Sequence, residues 1–332
     1  MSPIHGLSET RRLPRLGKIH LGEKVTNARG VEYPKATEYF VVPDEVAKIY
    51  GAQPTSLDIM FPVEDEAIFA SQFYRAYSQT RGLVCKGDGE RAARLIDVAT
   101  KRGTEDTGEI TGDIATAQAK AVEWVDDIPC PGQACPYYQK KQCRELMMLQ
   151  FILPRVPGLG IWQLDTSSYH GMVNVNSTLA MIRQMFGRVS GIPLVLSLEP
   201  MEVAPEGKKK TVRVLQLRSR ETMADMLKLT FAPLPELPSA VMPAAEDEVP
   251  VLLYPTEEER QAQVEDDQTT PETLLGFKEW AKDTWGYETW EDLCKDMGVE
   301  KPAQILTMHE TWPNAVDYLA SKHTEVVAED IP

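Results

Sequence analysis

The chain has 332 residues, 42% of them hydrophobic, with 35 Lys and Arg against 50 Asp and Glu for a formal net charge of −15. That length exceeds what one compact core needs and its apolar content supports a globular body, so a disordered or fibrous chain is excluded. No apolar run approaches the roughly 18 residues of a membrane helix, the N-terminal Met-Ser-Pro-Ile-His offers no signal-peptide core, and five clustered cysteines do not make a disulfide framework, so a cytoplasmic protein without a membrane partner is expected.

The chain opens on a basic, turn-rich arm, Arg11-Arg12-Leu-Pro-Arg15-Leu-Gly-Lys18. Arg11, Arg12, Arg15 and Lys18 are candidates for contacts with nucleic-acid phosphates or a partner, against the plainer reading of a solvated arm. Short strands are expected at 18–21, 38–42 and 57–62, with a helix at 43–50 closed by Gly51. Phe73, Tyr74 and Tyr77 suit either base stacking or a core. Residues 90–97 read as a short helix or strand, 101–116 as a surface loop, and 121–125 as a strand leading to Cys130.

Cys130, Cys135 and Cys143 fall within 14 residues, and Cys85 lies upstream in Val-Cys85-Lys-Gly-Asp-Gly. Four soft thiolates match the tetrahedral preference of zinc. Gly87 and Gly89 are expected to take positive φ and bend Cys85 toward a metal. A shell filled by Cys85, Cys130, Cys135 and Cys143 leaves no open position, so the zinc would be structural. An iron–sulfur cluster is the less favoured alternative, and inert buried thiols the plain one.

The best-patterned stretch follows. Strands are expected at 146–153 and 160–165, then a helix on which Val175, Leu179, Ile182 and Phe186 share a face, then strands at 194–198 and 211–218. Between the last two, residues 204–210 form a hairpin tip carrying Lys208, Lys209 and Lys210, further candidates for binding nucleic acid or a partner. This β-β-α-β-β order over 146–218 predicts an α+β protein with an OB-like β-barrel body and an inserted four-cysteine metal loop. A ferredoxin-like or mixed sheet would give a similar string.

The body is expected to span 1–232. Residues 233–255 hold six prolines, so 233–269 reads as a stiff, acidic, largely unfolded linker. Residues 270–323 read as a small all-helical domain with a core of Trp280, Trp285, Trp290 and Trp312, and Cys294 among its core residues. An acidic tail covers 324–332. Residues 1–232 carry 29 Lys and Arg against 27 Asp and Glu, or +2; residues 233–332 carry 6 against 23, or −17. Such segregation leaves a nucleic-acid partner open where an acidic average would argue against one.

No HExxH, G-x-S-x-G, Walker A or G-x-G-x-x-G element is present, and the histidines are scattered. Asp165 and His170 flank the apolar helix, but a lone pair is more often structural. Residues 86–129 lack the Glu-x-Lys element of iron–sulfur nucleases. A non-enzymatic protein is therefore expected, with a metal-dependent hydrolase ranked third among the functions.

Four stretches taken together, residues 6–18, 77–89, 130–143 and 159–168, resemble the phage recombination directionality factor-like family. The likeness covers about residues 1–222 and leaves out the C-terminal helices. It implies an accessory protein that binds a serine integrase on its attachment-site DNA and switches it toward excision. The cysteines are the only positions it carries over, as metal ligands. The alternative is an OB-type single-stranded DNA-binding protein of phage-like replication or annealing. Ala328-Glu-Asp-Ile-Pro332 resembles the acidic tip of bacterial single-strand binders but lacks their final Phe.

Overall fold

A computed structural model gives the fold. It describes residues 13–27, 30–100, 102–103, 110–111, 113–116, 118–203, 210–230, 242–243, 249–269, 274–309, 312, 314–316 and 318–319. The elements in order are β1 (Arg15–Thr26), β2 (Glu32–Val41), α1 (Asp44–Tyr50), β3 (Ser56–Ile59), α2 (Glu66–Phe69), β4 (Ala70–Ser78), β5 (Gly82–Gly87), β6 (Arg91–Asp97), β7 (Arg102–Gly103), β8 (Ile110–Thr111), β9 (Val122–Pro129), α3 (Pro136–Gln139), β10 (Cys143–Phe151), β11 (Ile161–Thr166), α4 (Tyr169–Phe186), β12 (Leu194–Val203), β13 (Lys210–Arg218), α5 (Met223–Thr230), α6 (Glu257–Thr269), α7 (Leu274–Trp285), α8 (Trp290–Asp296) and α9 (Ile305–His309). They form two compact units, one ending at Tyr254 and the other made of residues 25–33 with those from 255 on.

The expected β-β-α-β-β order is present as β10, β11, α4, β12 and β13, but among the described residues it does not close into an OB barrel. β10 and β11 belong to an eight-stranded sheet of order β2-β1-β11-β10-β4-β5-β6-β9, while β12 and β13 join β3 in a separate sheet of three. The reason lies outside the 146–218 window. β1 runs parallel to β11 and takes its outer edge, with Lys18 beside Gln163 and Ile19 beside Leu164. β3 takes the edge of β12, with Leu57 beside Leu196. Strands whose edges are already paired cannot close on one another. The fold class is thus a mixed α+β protein.

Helix α4 sits where its pattern predicts. Val175, Leu179, Ile182 and Phe186 are all buried. Ser168 caps the helix by accepting from the Gly171 amide, and Gly187 ends it in the left-handed region at φ 72°. The core joins this face to Leu149, Phe151, Trp162 and Leu164 of the large sheet and Leu196, Leu215 and Leu217 of the small one. The neighbouring residues of β10, Leu146, Met148 and Gln150, are buried as well, on the opposite face. A strand covered on both sides reads as a continuous apolar run, as Leu146-Met-Met-Leu149 does.

Within the stretch expected as an unfolded linker, residues 242–243 and 249–254 contribute to that second face, while 233–241 and 244–248 lie outside the described residues. Arg144 donates to the Leu253 carbonyl at 2.8 Å, Gln150 to the Pro243 carbonyl at 3.2 Å, and the Tyr254 hydroxyl to the Arg75 carbonyl at 2.8 Å. Tyr254 also meets the Tyr77 ring edge-on, centroids 4.9 Å apart. Prolines cannot donate into a ladder, yet their own and their neighbours' carbonyls can accept, as those of Pro243 and Leu253 do. Within the same 233–269 stretch, residues 257–269 are helical as α6. Elsewhere, residues 90–97 contain a strand, β6, and 101–116 hold the short β7–β8 pair.

Glu64 ties the chain before α2 to the turn after α4. Its carboxylate accepts from the Val189 and Ser190 amides and from the Ser190 hydroxyl, with Arg183 3.8 Å away. Burial pushes this carboxyl up, but the hydrogen bonds from Ser190 and Val189 outweigh it and hold it below the ordinary glutamate range. A depressed carboxyl contributes stability above its unfolded value, and that contribution is lost as pH falls through the folded value. Glu64→Gln should therefore cost about 1 kcal/mol near pH 7, a modest figure because the group is partly exposed. In urea unfolding the gap from the parent protein should close as pH falls below the ordinary glutamate range.

In the second unit, Phe277, Ala281, Leu293, Met297, Ile305, Ala315 and Leu319 are buried, with Trp280, Trp285, Trp290 and Trp312 packed against them. Phe277 stacks on Trp312 at 5.5 Å, and Cys294 is buried on α8. Among the described residues, no helix is long and apolar enough to cross a membrane.

Candidate metal centre

Four of the five cysteines come to one place, at one end of the eight-stranded sheet. Cys143, the first residue of β10, pairs with Ala76 on β4; Ala76 pairs with Cys85 on β5; Cys85 pairs with Arg94 on β6. Directly opposed residues share a face, so Cys143, Ala76, Cys85 and Arg94 form one cross-strand row. The small Ala76 leaves open the space between its two cysteine neighbours.

The Cys130–Cys143 loop folds over this row. Cys130 follows the end of β9, and its amide donates to the Glu90 carbonyl at 2.9 Å. Gly132 takes φ 57° and opens a 3-10 turn; Cys135 then precedes α3, which has Pro136 at its first position. Lys141, at φ 59°, turns the chain back into β10. The result is a pocket lined by Cys85, Cys130, Cys135 and Cys143 together with Arg94 and Tyr137. All four sulfur-bearing residues are less than a tenth exposed.

Gly87 serves this pocket differently from the sequence expectation. Gly89 does have positive φ, at 103°, but Gly87 is not among the positive-φ glycines. Its part is to lack a side chain. A Cβ on Gly87 would lie 2.7 Å from the Cys130 sulfur and 3.1 Å from the Arg91 carbonyl. The sulfur reaches its place only over a bare backbone.

Burial pushes the Cys85 thiol up, while the adjacent Arg94 works against that rise. Burial, then Cys85, Cys135 and Cys130, push the Cys143 thiol up to about 12. A buried cluster of thiolates needs a compensating cation. Among the described residues, no group of three or more His, Cys, Asp or Glu side chains stands arranged to hold a metal ion. The four thiols thus share a pocket, but as they stand they do not form a finished coordination shell. The donor chemistry is that of a soft divalent ion: sulfur only, buried, with a glycine cradle. Cys294 belongs to the other unit and takes no part.

Of the basic candidates, Arg15 and Lys18 lie in β1. Lys18 stands 3.6 Å from Asp165, which is itself held by Gln163 at 2.8 Å. Burial pushes the Asp165 carboxyl up, and Gln163 and Lys18 oppose the rise. Lys210 opens β13. Arg11, Arg12, Lys208 and Lys209 lie outside the described residues. His170 is exposed against the Tyr169 ring. Phe73 carries Lys86 over its face at 4.1 Å.

Reasoning from sequence found the four cysteines but missed Arg94, Tyr137 and Ala76. The signal for Arg94 was present: had residues 90–97 been assigned to a strand, antiparallel pairing across the Gly87-Asp-Gly89 turn would have put Arg94 near Cys85.

Residues 16–220 match the family described as Gp3-like, recombination directionality factor-like. No curated protein and no solved structure matches the chain.

Proposed function

The chain belongs to the recombination directionality factor-like family, and from that membership we propose that it is a non-enzymatic, cytoplasmic accessory protein that binds a serine integrase on its attachment-site DNA and turns it toward excision. The observation that carries this reading is the extent of the match. Residues 16–220 take in both sheets, α4 and the whole four-cysteine pocket. The family unit is therefore this sheet body, and the helices after 255 are an addition to it.

The pocket's part in this reading is architectural. Cys85, Cys130, Cys135 and Cys143 hold one Zn²⁺ in a closed thiolate shell, which supplies a cross-link and no reacting position. Such a cross-link joins β5, the loop after β9 and the start of β10, and so fixes one end of the sheet that meets the partner. Arg11, Arg12, Arg15 and the Lys208–Lys210 tip supply contacts to DNA phosphates. Lys18 is engaged by Asp165 and contributes less.

The test is a native gel with purified cognate integrase on attachment-site duplex. The chain should slow the integrase–DNA band further and leave naked single-stranded DNA unmoved. Tight binding of single strands without integrase would favour the OB-type single-strand reading instead. Hydrolysis of a nucleic acid or ester that disappears in Asp165→Asn would favour an enzyme.

A further inference from the structure

We infer that Arg94 is the charge-balancing and positioning residue of the four-cysteine site, the side chain that lets a doubly negative metal–thiolate centre be buried at this end of the sheet. The inference rests on the zinc reading above and adds a residue to it that is not a ligand. Zn²⁺ bound by four thiolates carries a net charge of −2. Burying that charge is costly unless N–H donors and cations face the sulfurs.

Arg94 answers this need from three directions. It stands directly opposite Cys85 across the β5–β6 pair. It lines the same pocket as Cys130, Cys135 and Cys143. Its guanidinium also lies over the Tyr137 ring, 5.4 Å from the centroid. The Tyr137 hydroxyl in turn accepts from the Ile114 amide at 3.2 Å, which fixes the ring that fixes the guanidinium. The Arg94 Nε is buried and has no hydrogen-bond partner in the structure. A buried orphan donor is costly, and on a side chain that lines a pocket of thiols it gains acceptors when those thiols become anionic. A lysine would keep the charge but lose the planar fork that serves sulfur and ring together.

The test compares the full-length parent with Arg94→Met, Arg94→Lys and, as a control on the same strand, Arg91→Met, whose parent side chain pairs with exposed Asp127. Each protein is purified with zinc, titrated with a competing chelator, and separately loaded with Co²⁺. Arg94→Met should lose zinc about 10- to 100-fold more readily than the parent, the usual cost of removing an outer partner of a metal ligand. Arg94→Lys should fall between, and Arg91→Met should match the parent. The Co²⁺ absorption of a tetrahedral thiolate site should persist in every variant, since no ligand has changed. If Arg94→Met proves insoluble, Arg94→Lys carries the comparison. Zinc held equally by the parent and both Arg94 variants would overturn the role of Arg94 and leave the metal standing. A parent that takes up neither zinc nor cobalt would overturn both.

Discussion

Replacing Cys135 by serine should strip the body of its metal and lower its melting temperature by roughly 8–16 °C, as expected for a loss of about 4 kcal/mol in a unit of this size. The estimate follows from the ligand spacing. Cys85, Cys130, Cys135 and Cys143 come from β5, the loop after β9 and the start of β10. A zinc ion shared by them would close long loops, and its binding energy would be folding energy. The loss should be smaller than in an isolated zinc finger, because a large apolar core remains between the two sheets. Removing one thiolate also leaves three buried sulfurs short of a tetrahedral shell, so the rest of the site cannot simply hold on. Cys294→Ser, in the other unit, should keep the metal and most of the stability. Elemental analysis should find about one zinc per parent chain and none in Cys135→Ser. Iron in place of zinc would turn the centre into a cluster site. Well-folded parent protein with neither element would remove the metal from the account.

Ending the chain after Arg220, where the family match ends, should give a poorly soluble or strongly destabilised body, whereas ending it after Thr256 should not. The shorter chain loses the acceptors for Gln150 and Arg144 and the hydroxyl that donates to the Arg75 carbonyl. Gln150 is only 1% exposed, so its side-chain amide becomes a buried donor that has lost its acceptor, at about 1–3 kcal/mol. It also loses Met226 and Met242 from the main core. The longer chain keeps all of these and ends close to the boundary of the compact unit at Tyr254. Thermal melts of the two truncations separate the outcomes. Equal melting temperatures would mean that residues 221–254 are dispensable to the body.

The contrast between these two results reflects what a sequence displays and what it conceals. Helix α4 was legible because one face repeats Val175, Leu179, Ile182 and Phe186 and its ends carry Ser168 and Gly187. The four cysteines were legible because thiols crowded into a Pro- and Gly-rich loop have few other uses. The sheet order was not legible. Apolar runs bounded by turn residues mark β10 and β11 as strands and alternation marks β12, but their neighbours β1, β4 and β3 are chosen by long-range packing, which local pattern does not encode. Of the segment 233–255, residues 242–243 and 249–255 are described, and they serve the body in a way their composition does not display. Six prolines rule out a ladder, yet they do not prevent carbonyls from serving buried donors on another strand. Helix α6 is another case: its sequence, EEERQAQVEDDQT, is almost wholly polar and lacks the apolar stripe by which helices are recognised.

The reading as a directionality factor is tested most directly by a recombination assay with the cognate serine integrase and paired substrates, attL × attR and attP × attB. Integrase alone should join attP to attB and leave attL and attR unrecombined. Added at a ratio near one chain per integrase protomer, this protein should switch on attL × attR recombination and inhibit attP × attB. The zinc-depleted Cys135→Ser variant, if soluble, should do neither. An integrase whose choice of substrates is unchanged by the folded, metal-loaded protein would contradict the account.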